Sequence, residues 1–209
     1  MAKGKFVTFE GCDGCGKTTQ TKMLCAYLEV RGADYVFTRE PGGGKISEAI
    51  REVILDGKNA EMTDECEALL YAAARVQHLA DTVKPALESG KLVLCDRYFD
   101  SSFAYQAEGR GLGEKFVASI NAYAIENFPP DVTIFIDLPP DEAFLRKHGA
   151  DVNDRMELAG EDFHNRVYRG FLKQAKKNKK RFAVIDGRQS REEIFACVVA
   201  ALKERGIIG

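Results

Sequence analysis

Short apolar runs alternate with longer amphipathic stretches along the whole chain. Residues 6–9 (FVTF), 35–37 (YVF), 92–95 (LVLC), 132–136 (VTIFI) and 182–185 (FAVI) are almost continuously apolar. That character suits strands covered on both faces, since a strand with one wet face alternates instead. Between these runs, apolar residues recur at helical spacing over 18–30, 47–55, 64–88, 114–127 and 161–177. A last helix opens on Ser190-Arg191-Glu192-Glu193, a capping box, and continues with Ile194, Cys197, Val198, Ala201 and Leu202 on one stripe. Strands that alternate with helices pair in parallel through crossover connections. The expected architecture is α/β, a five-stranded parallel sheet with helices on both faces.

Length and composition narrow this without redirecting it. The 209 residues, against a typical domain of about 150, favour one domain over 1–209. Hydrophobic residues make up 45% and charged residues 30%, the balance of a globular chain with a core rather than a disordered one. The net charge of −2 supplies no field that would gather nucleic acid or an anionic membrane. No apolar run reaches the roughly 18 residues of a membrane span, and the start lacks the apolar core of a signal peptide. Six cysteines are too sparse for a disulfide scaffold of this length. A cytoplasmic enzyme-sized domain is the expectation.

Chemistry concentrates first at Gly11-Cys12-Asp13-Gly14-Cys15-Gly16-Lys17-Thr18, followed by Thr19. This fits G-x-x-x-x-G-K-[ST] between an expected strand and an expected helix, the context the motif requires. The glycines let backbone N–H groups converge on phosphate oxygens, and the helix start adds its positive dipole end. Lys17 would reach the β- and γ-phosphates, and Thr18 would hold Mg²⁺. Asp96, closing the run 92–95, would stand beside this loop at the carboxyl edge of the sheet and act on the same ion. The competing reading of Asp96 is a strand-terminal cap of the next turn.

Arginines recur where a second phosphate could be held: Arg39, Arg51, Arg75, Arg97, Arg146 and Arg155. Each alone reads as a solvated charge, but several at one sheet edge suggest a clamp on two phosphorylated substrates. A phosphate acceptor is already anionic, so such a kinase needs alignment and charge neutralisation rather than a general base. Two other readings stay open. One is a kinase of this fold with another acceptor; the other is a nucleotide-dependent switch without transfer chemistry.

In order along the chain, Phe9 to Gln20 around the loop, Thr38-Arg39-Glu40-Pro41-Gly42-Gly43, Ala72-Ala73-Ala74-Arg75-Val76-Gln77, Asp96-Arg97-Tyr98, Asp100-Ser101-Ser102-Phe103-Ala104-Tyr105-Gln106 and Asp154-Arg155-Met156-Glu157 resemble the successive motifs of thymidylate kinases. The resemblance implies ATP-dependent, Mg²⁺-assisted phosphorylation of dTMP to dTDP on a nucleoside monophosphate kinase fold with a short lid over about 146–157, usually in a homodimer. By resemblance, Asp13 would accept from the sugar 3′-hydroxyl, Tyr71 would stack on the base, and Arg75 would donate to it. Ser102 and Gln106 would read its polar edge, and Tyr105 would crowd a ribose 2′-hydroxyl. Arg97 and Arg51 would hold the acceptor phosphate, with Arg39 weaker, and Pro41 matches a position that the family keeps cis.

Some members carry an arginine in the phosphate loop where this chain has Gly14, which resembles bacterial members that supply it from a lid. Arg146 and Arg155 are then the catalytic candidates beside Lys17 and Arg97. The loop also holds a C-x-x-C, Cys12 and Cys15. Two small side chains at variable positions is the plain reading, and a thiolate at Cys15, near a helix start and Lys17, is the reactive one. The run Lys173 to Arg181 reads as a solvated basic helix end.

Overall fold

The computed structural model describes residues 4–147, 156 and 159–209. Five strands, β1 (Phe6–Glu10), β2 (Tyr35–Arg39), β3 (Leu92–Asp96), β4 (Val132–Asp137) and β5 (Phe182–Asp186), form one parallel sheet in the order β2-β3-β1-β4-β5. The three inner strands are buried along almost their whole length, as their continuous apolar character predicts. The two edge strands depart from that expectation, because each is only partly covered. Phe37 on β2 and Val184 on β5 are exposed.

Around the sheet lie α1 (Lys17–Val30), α2 (Lys45–Leu55), α3 (Asp64–His78), α4 (Lys84–Glu88), α5 (Phe99–Ser102), α6 (Glu114–Ile120), α7 (Ala122–Asn127), α8 (Pro140–Lys147), α9 (Glu161–Lys177) and α10 (Arg191–Glu204). The capping box at Ser190 and Glu193 forms as its spacing requires. The period read over 64–88 is one rod with a wide turn at Leu79–Val83. The reason is Pro85, whose ring displaces the carbonyl one turn back and offers it no N–H. The period read over 114–127 breaks at Asn121, whose side chain turns inward to Arg75 and to the Val117 carbonyl. A helical stretch over 99–109, ending in a wide π-type segment from Phe103 to Gly109, has no amphipathic signature in the sequence. Asp100, Ser101, Ser102 and Gln106 within it are all buried, so polarity does not mark its outer face.

Every strand closes on a charged residue: Glu10, Arg39, Asp96, Asp137 and Asp186. Apart from exposed Asp186, the charges at this carboxyl edge are buried or half-buried, and the fold must satisfy them. Asp137 accepts from the Tyr168 hydroxyl at 2.8 Å, and Asp186 from the Arg188 backbone N–H at 3.0 Å. Fully buried Glu10 accepts from the backbone N–H groups of Tyr98 and Ser101 and pairs with the Ser101 hydroxyl at 2.6 Å. Its loss of hydration and the nearby Asp100 charge outweigh those donors and Arg97, and push its carboxyl up to about 7. Asp100 itself is held from behind by Arg181 in a two-pronged pair at 2.6 and 2.8 Å. The basic run is thus not solvated throughout. Lys173 and Lys177 pair with Glu108 and Glu114 at the surface, but Arg181 is a structural ion that pins α5 to the sheet.

Two outcomes follow from these buried charges. Arg181→Met should destabilise the fold by about 3–5 kcal/mol, because the buried Asp100 carboxylate loses its counter-ion. Adding Asp100→Asn should restore much of that loss, and urea unfolding of the single and double variants measures both. For Glu10, the folded value of about 7 lies above the ordinary 4.5. Between these limits the folded state holds more protons than the unfolded state. Its contribution is therefore complete below about 4.5 and is lost as pH rises through about 7, a change of about 3 kcal/mol. Glu10→Gln mimics the protonated form, so its advantage over the wild-type chain should grow across this window in pH-resolved unfolding.

Candidate active site

The loop after β1 and the start of α1 build an anion site from backbone. Gly11 has φ +141°, and a Cβ there would lie 2.7 Å from both the Ile136 carbonyl oxygen and Cys15 Sγ, so only glycine fits. Helix α1 begins at Lys17 with no side-chain cap and no acid in its first turn. By contrast, α3 has a Thr63 cap and three acids in its first turn, and α10 has its capping box. The first N–H groups of α1 are thus left for a bound anion. Lys17 is buried and donates to the carbonyls of Gly11 and Cys12 at 2.9 and 3.0 Å.

This loop forms one wall of a cleft of about 500 Å³. Gly14, Gly16, Lys17, Thr18 and Thr19 line it together with Arg39, Arg51, Asp96, Arg97 and Arg146, and Arg39 and Asp96 end neighbouring strands in register. A second cavity of about 180 Å³ is walled by Tyr71, Arg75, Ser102, Tyr105, Gln106 and Met156, among others. Asp13, Glu40, Arg51 and Arg97 line both spaces. The residues assigned from sequence to a donor and to an acceptor therefore converge, with the shared residues at the junction.

Arg97 holds the junction together. It is the one described non-glycine residue with a left-handed backbone, φ 67°. Its side chain donates to Asp13 Oδ1 at 2.6 Å, the Tyr105 hydroxyl at 3.1 Å, Ser101 Oγ at 3.1 Å and the Gly11 carbonyl at 3.2 Å. Burial works against its charge, but Asp13 and the neighbouring acids raise its pKa well above the ordinary arginine value. The Tyr105 hydroxyl also donates to Asp13 Oδ2 at 3.2 Å, while burial pushes its own ionisation far up. Asp13, Arg97 and Tyr105 are one hydrogen-bonded unit.

Arg75 is similarly fixed. Its Nε–H donates to Glu40 Oε2 at 2.7 Å, Nη1 to Ser102 Oγ and to Asn121, and Nη2 to the Tyr98 carbonyl at 3.3 Å. Four of its five N–H groups are used in this way, leaving one on Nη2 at the cavity wall. Gln106 donates to buried Glu67 at 2.9 Å. The Glu40–Pro41 peptide is cis, matching the resemblance. Arg39 and Arg51 both donate to the Pro41 carbonyl, at 2.7 and 3.0 Å, and Arg39 also pairs with Glu48. Arg146 donates to the Gly187 carbonyl at 2.7 Å from an otherwise exposed position on α8. Arg155 lies outside the described residues, as does most of the expected lid.

The structure overturns the reactive reading of the loop cysteines. Cys12 and Cys15 are buried beneath the loop and do not line the cleft. Burial pushes the Cys12 thiol up to about 12 and raises that of Cys15 also, despite Lys17. They are packing groups. Sequence reasoning gave no role to Glu10, Glu40, Tyr98, Ser101, His78 or Asn121, all of which brace this site. A signal existed for two of them: Glu10 is an acid directly after an apolar strand, and His78 follows Arg75 by three residues on the same helix face.

Comparison with known proteins agrees with this geometry. The family model for thymidylate kinase matches residues 9–198. A thymidylate kinase of Finegoldia magna is 45% identical over 203 residues, covering 97% of this chain and all of that one. One from Bifidobacterium longum is 47% identical over 204 residues, covering 96% of this chain and 98% of that one. The crystal structure of thymidylate kinase from Ehrlichia chaffeensis superposes with a TM-score of 0.77 at 34% identity, over 96% of this chain and 99% of that one. Its motifs, its paired cavities and its full-length similarity place this chain in the thymidylate kinase family.

Proposed function

We infer that this chain transfers the γ-phosphoryl group of ATP to dTMP, giving dTDP. The observation that carries the reading is the pair of cavities that share Asp13, Arg51 and Arg97. One is a phosphate cleft with an uncapped helix start; the other is a sheltered cavity with an aromatic wall and fixed polar groups. A phosphate held between Arg51 and Arg97 faces the cleft from the acceptor side. Catalysis then consists of alignment, neutralisation of charge and exclusion of water.

The residues take the following roles in this reading. Lys17 exchanges its loop carbonyls for phosphate oxygens of ATP, and Thr18 and Thr19 face those phosphates from the first turn of α1. Tyr71 stacks on the base, and Arg75, Ser102 and Gln106 address its polar edge. Asp13 accepts from the sugar 3′-hydroxyl, and the Tyr105 ring, fixed by Asp13 and Arg97, crowds a 2′-hydroxyl. The donor set also fits Mg²⁺, since Asp96 Oδ1 is buried without a hydrogen-bond partner in the cleft that Thr18 lines. Thr18 and Asp96 would hold the ion, directly or through water, and bound Mg²⁺ would neutralise phosphate charge.

Arg146 and Arg155 are the lid cations of this reading. Ile46 and Val53 on α2, with Leu69 and Val76 on α3, which packs against α2, are exposed apolar side chains. They support a homodimer built through these helices. No helix among the described residues is long and apolar enough to cross a membrane, and a cytoplasmic location is part of the proposal.

Coupled detection of ADP release over dTMP, dUMP, UMP, dCMP, dAMP and dGMP tests the function. The expected order puts dTMP first and dUMP well above UMP. ADP release that is indifferent to every acceptor would instead favour a nucleotide switch without transfer. Within the same assay, Arg146→Ala should lower kcat by at least about tenfold, since an inserted arginine can contribute roughly 10³–10⁵. The KM for dTMP should stay within about twofold, and Arg146→Lys should recover only part, because lysine lacks the planar fork.

A further inference from the structure

Behind the acceptor cavity lies a buried polar cluster that the reaction above does not use. His78, at the end of α3, is fully buried. Its Nδ1 lies 2.9 Å from Glu40 Oε1 and its Nε2 lies 2.7 Å from Thr38 Oγ1. Glu40 presents its other oxygen to Arg75 Nε–H at 2.7 Å. A carboxylate only accepts, so Nδ1 must carry a proton and donate to Glu40. In the neutral ring Nε2 then accepts from the Thr38 hydroxyl. The result is an unbroken chain, Thr38 to His78 to Glu40 to Arg75, running from β2 through α3 to the cavity wall.

The potential ligand atoms of Glu40, His78 and Cys95 lie within 4.8 Å of one another, which raises a cation as an alternative occupant. Each of those atoms already has another partner. Nδ1 is spent on Glu40, Glu40 on His78 and Arg75, and the Cys95 thiol donates to the Arg97 carbonyl at 3.1 Å. Burial also holds the Cys95 thiol well above its ordinary pKa. The cluster is a hydrogen-bonded relay. Gly43 closes over it, and a Cβ there would come within 2.5 Å of Thr38 Oγ1 and 2.6 Å of the His78 ring.

We propose that His78 is a positioning residue for base selectivity: through Glu40 it fixes the Arg75 guanidinium so that its one remaining N–H meets an acceptor on the base. The inference rests on the reading of Arg75 as the base-reading residue. Thymine offers an acceptor oxygen at its 4-position where cytosine offers a donor amine. A guanidinium donates in any orientation, but one free to swivel can turn away from the cytosine amine, while one held by four hydrogen bonds must meet it donor to donor. His78 thus acts on which base is accepted and does not touch substrate.

Two carboxamide variants separate the contacts. His78→Asn places an amide N–H near the Nδ1 position and keeps the donor to Glu40. His78→Gln reaches towards Thr38 and gives that donor up. For His78→Gln the KM for dTMP should rise about tenfold, the cost of one hydrogen bond to a charged group. Its kcat and KM for ATP should stay within about twofold, and its preference for dTMP over dCMP in kcat/KM should fall about tenfold. His78→Asn should remain within about threefold of the wild-type chain in all of these. Should His78→Gln fail to fold, Thr38→Val reads the same relay one link further out, with shifts of the same sign of about threefold. Equal defects in the two carboxamide variants, a loss that is the same for dTMP and dCMP, or an unchanged KM for dTMP in folded His78→Gln or Thr38→Val would each overturn the proposal. If the wild-type chain itself showed no preference for dTMP, the failure would lie with the reading of Arg75 instead.

Discussion

The Arg97–Asp13 ion pair at 2.6 Å is the contact on which the site's geometry depends. It joins the loop after β1 to the turn after β3, and both partners also bond the Tyr105 hydroxyl. The left-handed backbone at Arg97 costs roughly 1–2 kcal/mol in a residue with a Cβ. Charge-assisted hydrogen bonds of about 1.5–3 kcal/mol each offset that cost, and Arg97 makes several donations in a half-buried setting. The guanidinium is consequently in place before any phosphate arrives. Preorganised charge of this kind needs little rearrangement when the reaction develops negative charge nearby.

A sheet four of whose five strands end in acids is an unpromising place to gather two phosphorylated substrates. The structure resolves the conflict residue by residue. Glu10 is surrounded by donors and driven toward its neutral form, Asp137 is engaged by Tyr168, and Asp186 by a backbone N–H. Among the described strand-end acids, Asp96 keeps a buried oxygen without a hydrogen-bond partner, and it lines the phosphate cleft. At the helix starts, α1 has neither a side-chain cap nor an acid in its first turn, and it opens on the same cleft. What these groups lack therefore marks the site as clearly as what they contact.

The inner strands were legible because burial on both faces writes itself as an unbroken apolar run, and α9 was legible end to end because its outer face is wet. The loop was legible because its chemistry needs fixed residue types at fixed spacing. Legibility failed where tertiary contacts overrode local pattern. Pro85 widened a helix whose period stayed intact, and Asn121 broke another in order to reach Arg75. The segment 99–109 was invisible because its polar residues point inward. The plain reading of the loop cysteines stands, and the reactive one fails for the same reason. Proximity to Lys17 and a helix start can be read from sequence, whereas the burial that outweighs both cannot. Bracing residues such as Ser101 and Glu40 escaped because bracing is a long-range relation, with Ser101 answering Glu10 and Glu40 answering Arg75 across the fold.

The two halves of the site differ in how firmly they are built, and that difference matches their tasks. On the acceptor side, Arg75, Ser102 and Gln106 are nearly inaccessible and each is already hydrogen-bonded within the protein. Discrimination between similar bases requires this firmness, because a mismatched base must leave a buried polar group unpaired rather than persuade it to move. On the donor side, Thr18 and Arg146 are exposed, and the described contact of Arg146 is one backbone carbonyl. A cation that must reach a migrating phosphoryl group has to exchange such a contact readily. Every nucleotide donor also presents much the same triphosphate, so firmness there would add little selectivity. Arg97, half-buried between the two, shares the rigidity of the first half and the phosphate chemistry of the second, which is why the geometry of each half constrains the other.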